Sequence, residues 1–336
     1  MGKHLIQPSY AGIPTFFQAP MGRVEQVEEG MTVIGGVPID QGIMLTKPGA
    51  RFGPRAIRES STLNRAFYAA AAEGTIVDID KGYGSRMKPG ARLLDVGDFD
   101  VNPMDIMMTT ESVITGVQEV VKRGGFMVTL GGDHYIAYPG FEGFVRGMQE
   151  RTPGIRVGYL HIDTHPDFRD QYGPAGGRYS HGTAARRISE NAAVSNRNMA
   201  WLGVNGPVID VEAFRVARER KLKMLTVKMM RERGIKQAVQ EALETAASSV
   251  DAVYLTIDID VVSAAEAQGT GAPVFTGLTA VEFLEMMEIL SQHDIIKAVD
   301  LCEVSPPLDE SGVTADLAVT ALLTLLDRRL FERVEV

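Results

Sequence analysis

Short β-rich runs, each ending near Gly, Asp or Asn and followed by a helical pattern, recur along most of this chain. They are "MTVIGGVPID" from Met31, "ARLLDVGDFD" from Ala91, "GFMVTLGGDH" from Gly125, "RVGYLHIDTH" from Arg156, "NMAWLGVNG" from Asn198, "DAVYLTIDID" from Asp251 and "IKAVDLCEVSP" from Ile296. Several are nearly continuous in apolar residues rather than alternating, as expected of strands covered on both faces of a parallel sheet. Helical patterns lie between them, among them residues 111–123, 237–248 and 279–292. The order βαβα predicts an α/β fold, a single-domain α/β/α sandwich on a mostly parallel sheet. At 336 residues and 45% hydrophobic the chain can bury a substantial core, and no low-complexity linker or fixed-period repeat divides it. Residues 1–30 read as an N-terminal extension and 31–336 as the α/β domain.

Ligands of an open parallel sheet bind beyond the carboxyl ends of its strands, and the ionisable residues gather there. "TLGGDH" puts His134 past one strand, "HIDTHPD" puts Asp163, His165 and Asp167 past the next, and "TIDID" puts Asp258 and Asp260 past a third. In extended chain, residues two apart share a face, so Asp163, His165 and Asp167 converge, as do Asp258 and Asp260. Four carboxylates and two imidazoles in one low-dielectric cleft repel one another by several kcal/mol unless a cation lies between them. Hard oxygen donors with imidazole suit Mn²⁺, Ni²⁺, Zn²⁺ or Fe²⁺, and the donors outnumber what one catalytic ion needs. Two divalent ions sharing bridging carboxylates is the economical solution. A lone Asp-x-Asp after a strand is more often a turn, and a lone His after Gly-Gly-Asp is more often a loop residue. Here, however, four of the six histidines fall between His134 and His181, each group just past a strand. His161, one strand position earlier, reads as a buried, satisfied histidine. His4 and His293 read as surface residues.

Charge and composition narrow the partners. The formal charge is −9 with no basic face, which gives neither nucleic acid nor an anionic membrane an electrostatic foothold and favours a small cationic substrate. No apolar run approaches the ~18 residues of a membrane span, and "MGKHLIQPSY" lacks a signal-peptide core. The single cysteine, Cys302, allows no intrachain disulfide and fits a reducing compartment, so the expected location is the cytoplasm.

With those residues on the page, the order "GGDH", "DTHPD", "SHGT" and "DIDVVSAAEAQGTGAP" resembles the ureohydrolases, the arginase and agmatinase family, over nearly the whole chain. "AGIPTFFQAP", "KPGARFGPRAIRESS" and "YSHGT" are similar to agmatinases and their relatives rather than to arginases. The resemblance implies a dinuclear site at the strand ends and cleavage of a guanidino compound to urea and an amine by a metal-bridging hydroxide. His134, Asp163, Asp167 and Asp258 would hold one ion; Asp163, His165, Asp258 and Asp260 would hold the other. It further implies that Asp167 relays a proton to the leaving amine, that His181 exchanges protons with solvent, and that Glu303 pairs with the substrate guanidinium. Mn²⁺ is the family default and Ni²⁺ the alternative, the latter among relatives acting on guanidine or alkylated guanidines. A homo-oligomer, trimer or hexamer, is implied, with assembly alongside a related chain as the variant. The glycine-rich "GPAGGRYSHG" from Gly173 is expected as an ordered loop over this site.

Departures from the family pattern fall around the pocket rather than on the ligands. Tyr135 stands where Ser usually follows Gly-Gly-Asp-His, Ser263 and Ala264 replace Asp-Pro, and Phe275 and Thr276 occupy positions often smaller. They bear on substrate. Agmatine is the default expectation, with a short or N-alkylated guanidine, including a biguanide, as competitor. An aromatic wall from Tyr135 and Phe275 would suit a methylated nitrogen, and arginine should be poor. A metallophosphoesterase would need an early Asp-x-His, an Asn ligand and a positive pocket, none of which appears. A non-catalytic subunit of this fold would be expected to have lost ligands, and hydrolysis of formiminoglutamate would need cations that the sequence does not place.

Overall fold

The apolar runs fold as strands: β1 (Thr32–Val37), β2 (Ile76–Asp78), β3 (Tyr83–Met87), β4 (Leu93–Asp98), β5 (Phe126–Gly131), β6 (Val157–Ile162), β7 (Val194–Val204), β8 (Lys223–Thr226), β9 (Ala252–Asp258), β10 (Ile296–Cys302) and β11 (Phe331–Val334). The structure is a computed structural model that describes residues 11–40, 47–70, 75–79, 82–172, 177–207 and 210–335. Eight strands form one sheet in the order β4-β1-β5-β10-β9-β6-β7-β8, with every neighbouring pair parallel. The short strands β11-β3-β2 pair antiparallel in a separate sheet.

Alternation along each strand divides the core in two. Ile34, Val128, Leu160, Leu255 and Val299 face the helices Ile235–Ala247, Ala280–Ser291 and Val313–Leu325. Val33, Met127, Tyr159, Tyr254 and Ala298 face the helices Ile106–Lys122 and Ala137–Arg151. Both faces of the sheet are therefore dry, which is why its strands read as unbroken apolar runs. The helix expected from residue 111 starts at Ile106, because the Asp105 carboxylate accepts from the amides of Met107 (2.8 Å) and Met108 (3.2 Å). Thr279 caps Ala280–Ser291 reciprocally with Glu282, close to the expected 279–292. Ile235–Ala247 opens two residues before the expected start.

Residues before the domain are part of the packing: Phe16 and Phe17 are buried in the core, and the Phe16 amide donates to Asp95 (2.8 Å). Among the described residues no helix is long and apolar enough to cross a membrane. His4 and part of the glycine-rich segment, residues 173–176, lie outside the described residues. His293 is exposed.

Candidate metal centre

Adjacent parallel strands bring the ionisable groups together in register. Tyr159 pairs with Tyr254 and His161 with Thr256 across β6 and β9, so Asp163 and Asp258 emerge side by side at the carboxyl ends. His134 arrives from β5 through a Gly-Gly-Asp turn. A Cβ at Gly132 would lie 1.9 Å from the Ile39 carbonyl oxygen, so only glycine lets the chain pass this close.

His134 Nδ1 lies 2.9 Å from Asp163 Oδ2, 3.1 Å from Asp167 Oδ2 and 3.2 Å from Asp258 Oδ2, yet it has no hydrogen-bond partner. Lone pairs from an imidazole and three carboxylates thus converge on one point in a buried place, which is the donor geometry of a cation site. His165 Nδ1 lies 3.0 Å from Asp260 Oδ2 and 3.5 Å from Asp163 Oδ1, and Asp260 Oδ1 is also buried without a partner. Asp163 therefore stands between the two groups. The six residues expected as ligands are brought together, and their orphaned atoms and hard donors fit two divalent ions. His165, with 42% of its side chain exposed, marks the open side of the site; the others are buried.

The electrostatics follow from crowding. Burial, together with Asp260 and Asp163, holds the Asp258 carboxyl well above its ordinary range, and burial pushes Asp260 up to about 7. Burial also works to raise Asp163, but the neighbouring imidazoles of His134, His161 and His165 win and hold it well below. For His134 burial opposes charge, while Cys302 and the carboxylates Asp163, Asp167 and Asp258 lift it well above an ordinary imidazole.

Glu303 is buried behind this cluster. Its Oε1 accepts from the His134 amide (2.8 Å), and burial with Asp258 and Asp133 raises its carboxyl well above the usual range. Glu303 (φ 64°) and Asp167 (φ 45°) both hold left-handed backbone that such residues rarely adopt, so local packing imposes their directions. His181 opens the turn His181–Thr183, which packs against the turn His134–Ile136 and so borders the cluster. The Tyr172 hydroxyl lies 3.4 Å from its Nε2, and the Arg169 guanidinium covers the other side of the Tyr172 ring at 4.6 Å.

Around the pocket the structure redistributes the aromatic residues. Tyr135 is wholly buried, its hydroxyl on Thr110 Oγ1 (2.6 Å) and its ring against Tyr138 and Tyr179, so it offers no wall to a substrate. Phe275 is 86% exposed. Its carbonyl accepts from Ser263 Oγ (2.9 Å), and Asn205 ties the neighbouring Thr276 to the ligand loop through its own amide on the Thr164 carbonyl (2.9 Å). His161 is buried, with Nε2 on Asp163 Oδ2 (2.9 Å) and Nδ1 on the Tyr159 hydroxyl (2.7 Å). Sequence reasoning passed over Tyr159, Tyr254, Thr256 and Asp300, which form a polar layer beneath the ligands. The signal was present in part: Thr256 sits two residues before Asp258, on the same strand face.

Comparison with known proteins shows the family. Residues 31–327 match the model of the arginase family. The chain is 30% identical over 322 residues to a guanidinopropionase of Pseudomonas aeruginosa, covering 95% of this chain and 92% of that one. It is 26% identical over 300 residues to an agmatinase of Bacillus subtilis, covering 89% and 92%. Among solved structures, the proclavaminate amidinohydrolase of Streptomyces clavuligerus superposes with a TM-score of 0.79 at 28% identity, over 96% of this chain and 99% of that one.

Proposed function

Because this chain belongs to the arginase family, we propose that it is a metal-dependent hydrolase that cleaves a carbon–nitrogen bond of a small guanidino compound, releasing urea and an amine. The bare Nδ1 of His134 facing three carboxylate oxygens carries this reading. His134, Asp163, Asp167 and Asp258 would hold one ion, and Asp163, His165, Asp258 and Asp260 the other. When bound, the ions supply Lewis acidity, which lowers the pKa of water toward neutrality and stabilises charge developing on the guanidinium carbon.

The chain's own residues do the rest. Glu303, fixed by the His134 amide, would hold the guanidinium by a charge-assisted hydrogen bond. Asp167 can carry the proton released by water to the departing nitrogen. His181, half-buried beside Tyr172, exchanges protons with solvent. Relatives named guanidinopropionase, guanidinobutyrase and agmatinase support a guanidino substrate whose tail varies. Agmatine is the reference substrate we propose, and a short or N-alkylated guanidine, including a biguanide, its competitor; Tyr135 lies in the core and Phe275 on the surface. Mn²⁺ is the proposed metal, with Ni²⁺ as the alternative. Assembly as a trimer or hexamer, with itself or a related chain, belongs to the same proposal, and light scattering reads it.

The test is urea release by the full chain, loaded separately with Mn²⁺ and Ni²⁺, across guanidine, N-alkylated guanidines, a biguanide, agmatine, guanidino acids and arginine. Turnover of at least one compound, with arginine slower than the best, is expected. No urea from any of them, or arginine as the fastest, overturns the reading.

A further inference from the structure

One buried carboxylate near the site, Asp300, is not among the six expected ligands. Asp300 lies in mid-β10, fully buried, with no Lys or Arg partner among the described residues. It accepts from the Tyr254 hydroxyl at Oδ2 (2.7 Å) and from the Thr256 hydroxyl at Oδ1 (2.5 Å). Thr256 Oγ1 is also 2.9 Å from His134 Nε2. A carboxylate only accepts, so the Thr256 proton is committed to Asp300. The Thr256 oxygen is then left to accept, and His134 Nε2 must carry the ring proton. In the neutral ring, the form that a metal ion binds, the other nitrogen, Nδ1, then carries the free lone pair, and it is the one that faces Asp163, Asp167 and Asp258.

We propose that Thr256 and Asp300 are positioning residues, which hold His134 in the tautomer and ring orientation that a divalent ion requires. The proposal rests on the metal-centre reading above. A buried anion in an apolar sheet is costly unless hydrogen-bonded, and here one of its two hydroxyl donors, Thr256, leads on to a metal-donor residue, His134. Register explains how the relay is built: Asp300 pairs with Thr256 across β10 and β9, so the acceptor and the relaying hydroxyl stand side by side.

The experiment measures Mn²⁺ affinity of the full chain by chelator competition, with the melting temperature of the chelator-treated protein as the check on folding. Thr256→Val keeps shape but removes the hydroxyl, and Asp300→Asn puts an amide where two donors need acceptors. Each should weaken the binding of one of the two ions by about 10- to 100-fold, the usual cost of losing such a support. Thr256→Ser, which restores the hydroxyl, should return affinity to within about threefold of the parent. Affinity of Thr256→Val within about twofold of the parent, or no recovery in Thr256→Ser, overturns the proposal. If Asp300→Asn fails to fold, the Thr256 pair decides alone. A parent that retains no Mn²⁺ overturns both this proposal and the metal-centre reading. A parent that binds Mn²⁺ as expected yet releases no urea refutes the proposed function only.

Discussion

Among the described residues, two groups of carboxylates, buried Asp95 with its neighbour Asp98 and those at the strand ends, meet the same electrostatic problem in different ways. In one, Arg58 from the helix Gly53–Ala70 reaches Asp95 through Nε and Nη2 (both 2.9 Å) and Asp98 through Nη1 (2.6 Å). Asp95 Oδ1 and Oδ2 also accept from the amides of Gly97 and Phe16, so all its strong acceptor directions are used. The cation is covalently part of the chain and every partner is in place. In the other, Asp163, Asp167 and Asp258 face His134 Nδ1, which has no hydrogen-bond partner, and Asp260 Oδ1 is orphaned as well. A fully satisfied cluster locks a fold, here the N-terminal segment onto β4. An incompletely satisfied one is a place where an exchangeable cation binds.

The largest effect expected from this difference is on catalysis. Asp258→Ala removes an acceptor that both ions would share, and urea release should fall by more than about 100-fold, the ceiling for losing a mere support. The cooperative unfolding of the metal-free protein should remain. Activity within tenfold of the parent would mean that Asp258 is not shared.

Arg58→Ala should do the reverse. It leaves Asp95 buried and uncompensated, with an expected loss of about 3–5 kcal/mol in denaturant unfolding. Mn²⁺ affinity of the folded protein should not change. A variant as stable as the parent, or one with impaired ion binding, would erase the distinction between the clusters.

A smaller effect should appear with pH. Asp260, raised to about 7, and Asp258, raised well above its range, bind protons more tightly in the folded chain than in the unfolded one, as do His134 and His165. Their contribution to stability is present at low pH and lost as pH rises through the folded values. Asp163, held low, acts oppositely, but only below its ordinary value near 4. The metal-free protein should therefore melt a few degrees higher at pH 6 than at pH 8, and Mn²⁺ should stabilise more at pH 8 because it takes the place of those protons. Calorimetry with and without chelator checks this. A metal-free protein more stable at pH 8 would show that the cluster does not store protons in this way.

Much of this was legible before any coordinates. The seven β-rich runs all became strands of the large sheet, because burial on both faces leaves an apolar signature that needs no partner to be seen. β8 escaped notice because it is a four-residue edge strand, only partly buried. The β11-β3-β2 sheet escaped because its strands are short and its central pairing joins residues near 85 to the far end of the chain. Phe275 and Tyr135 looked alike as bulky exchanges, yet one is on the surface and the other is in the core.

The sequence by itself determined the fold class, the strand ends that carry ionisable groups and the donor types, since each of these depends on local period and residue chemistry. Only the tertiary structure decided that β5, β10, β9 and β6 are consecutive neighbours although their order in the chain differs. That adjacency sets Asp300 beside Thr256 and Thr256 beside His134, while the packing of the helix Gly53–Ala70 brings Arg58 to Asp95 on β4. The reason is physical: periodicity is written within one element, whereas register and neighbourhood are settled by the packing of elements far apart in the chain.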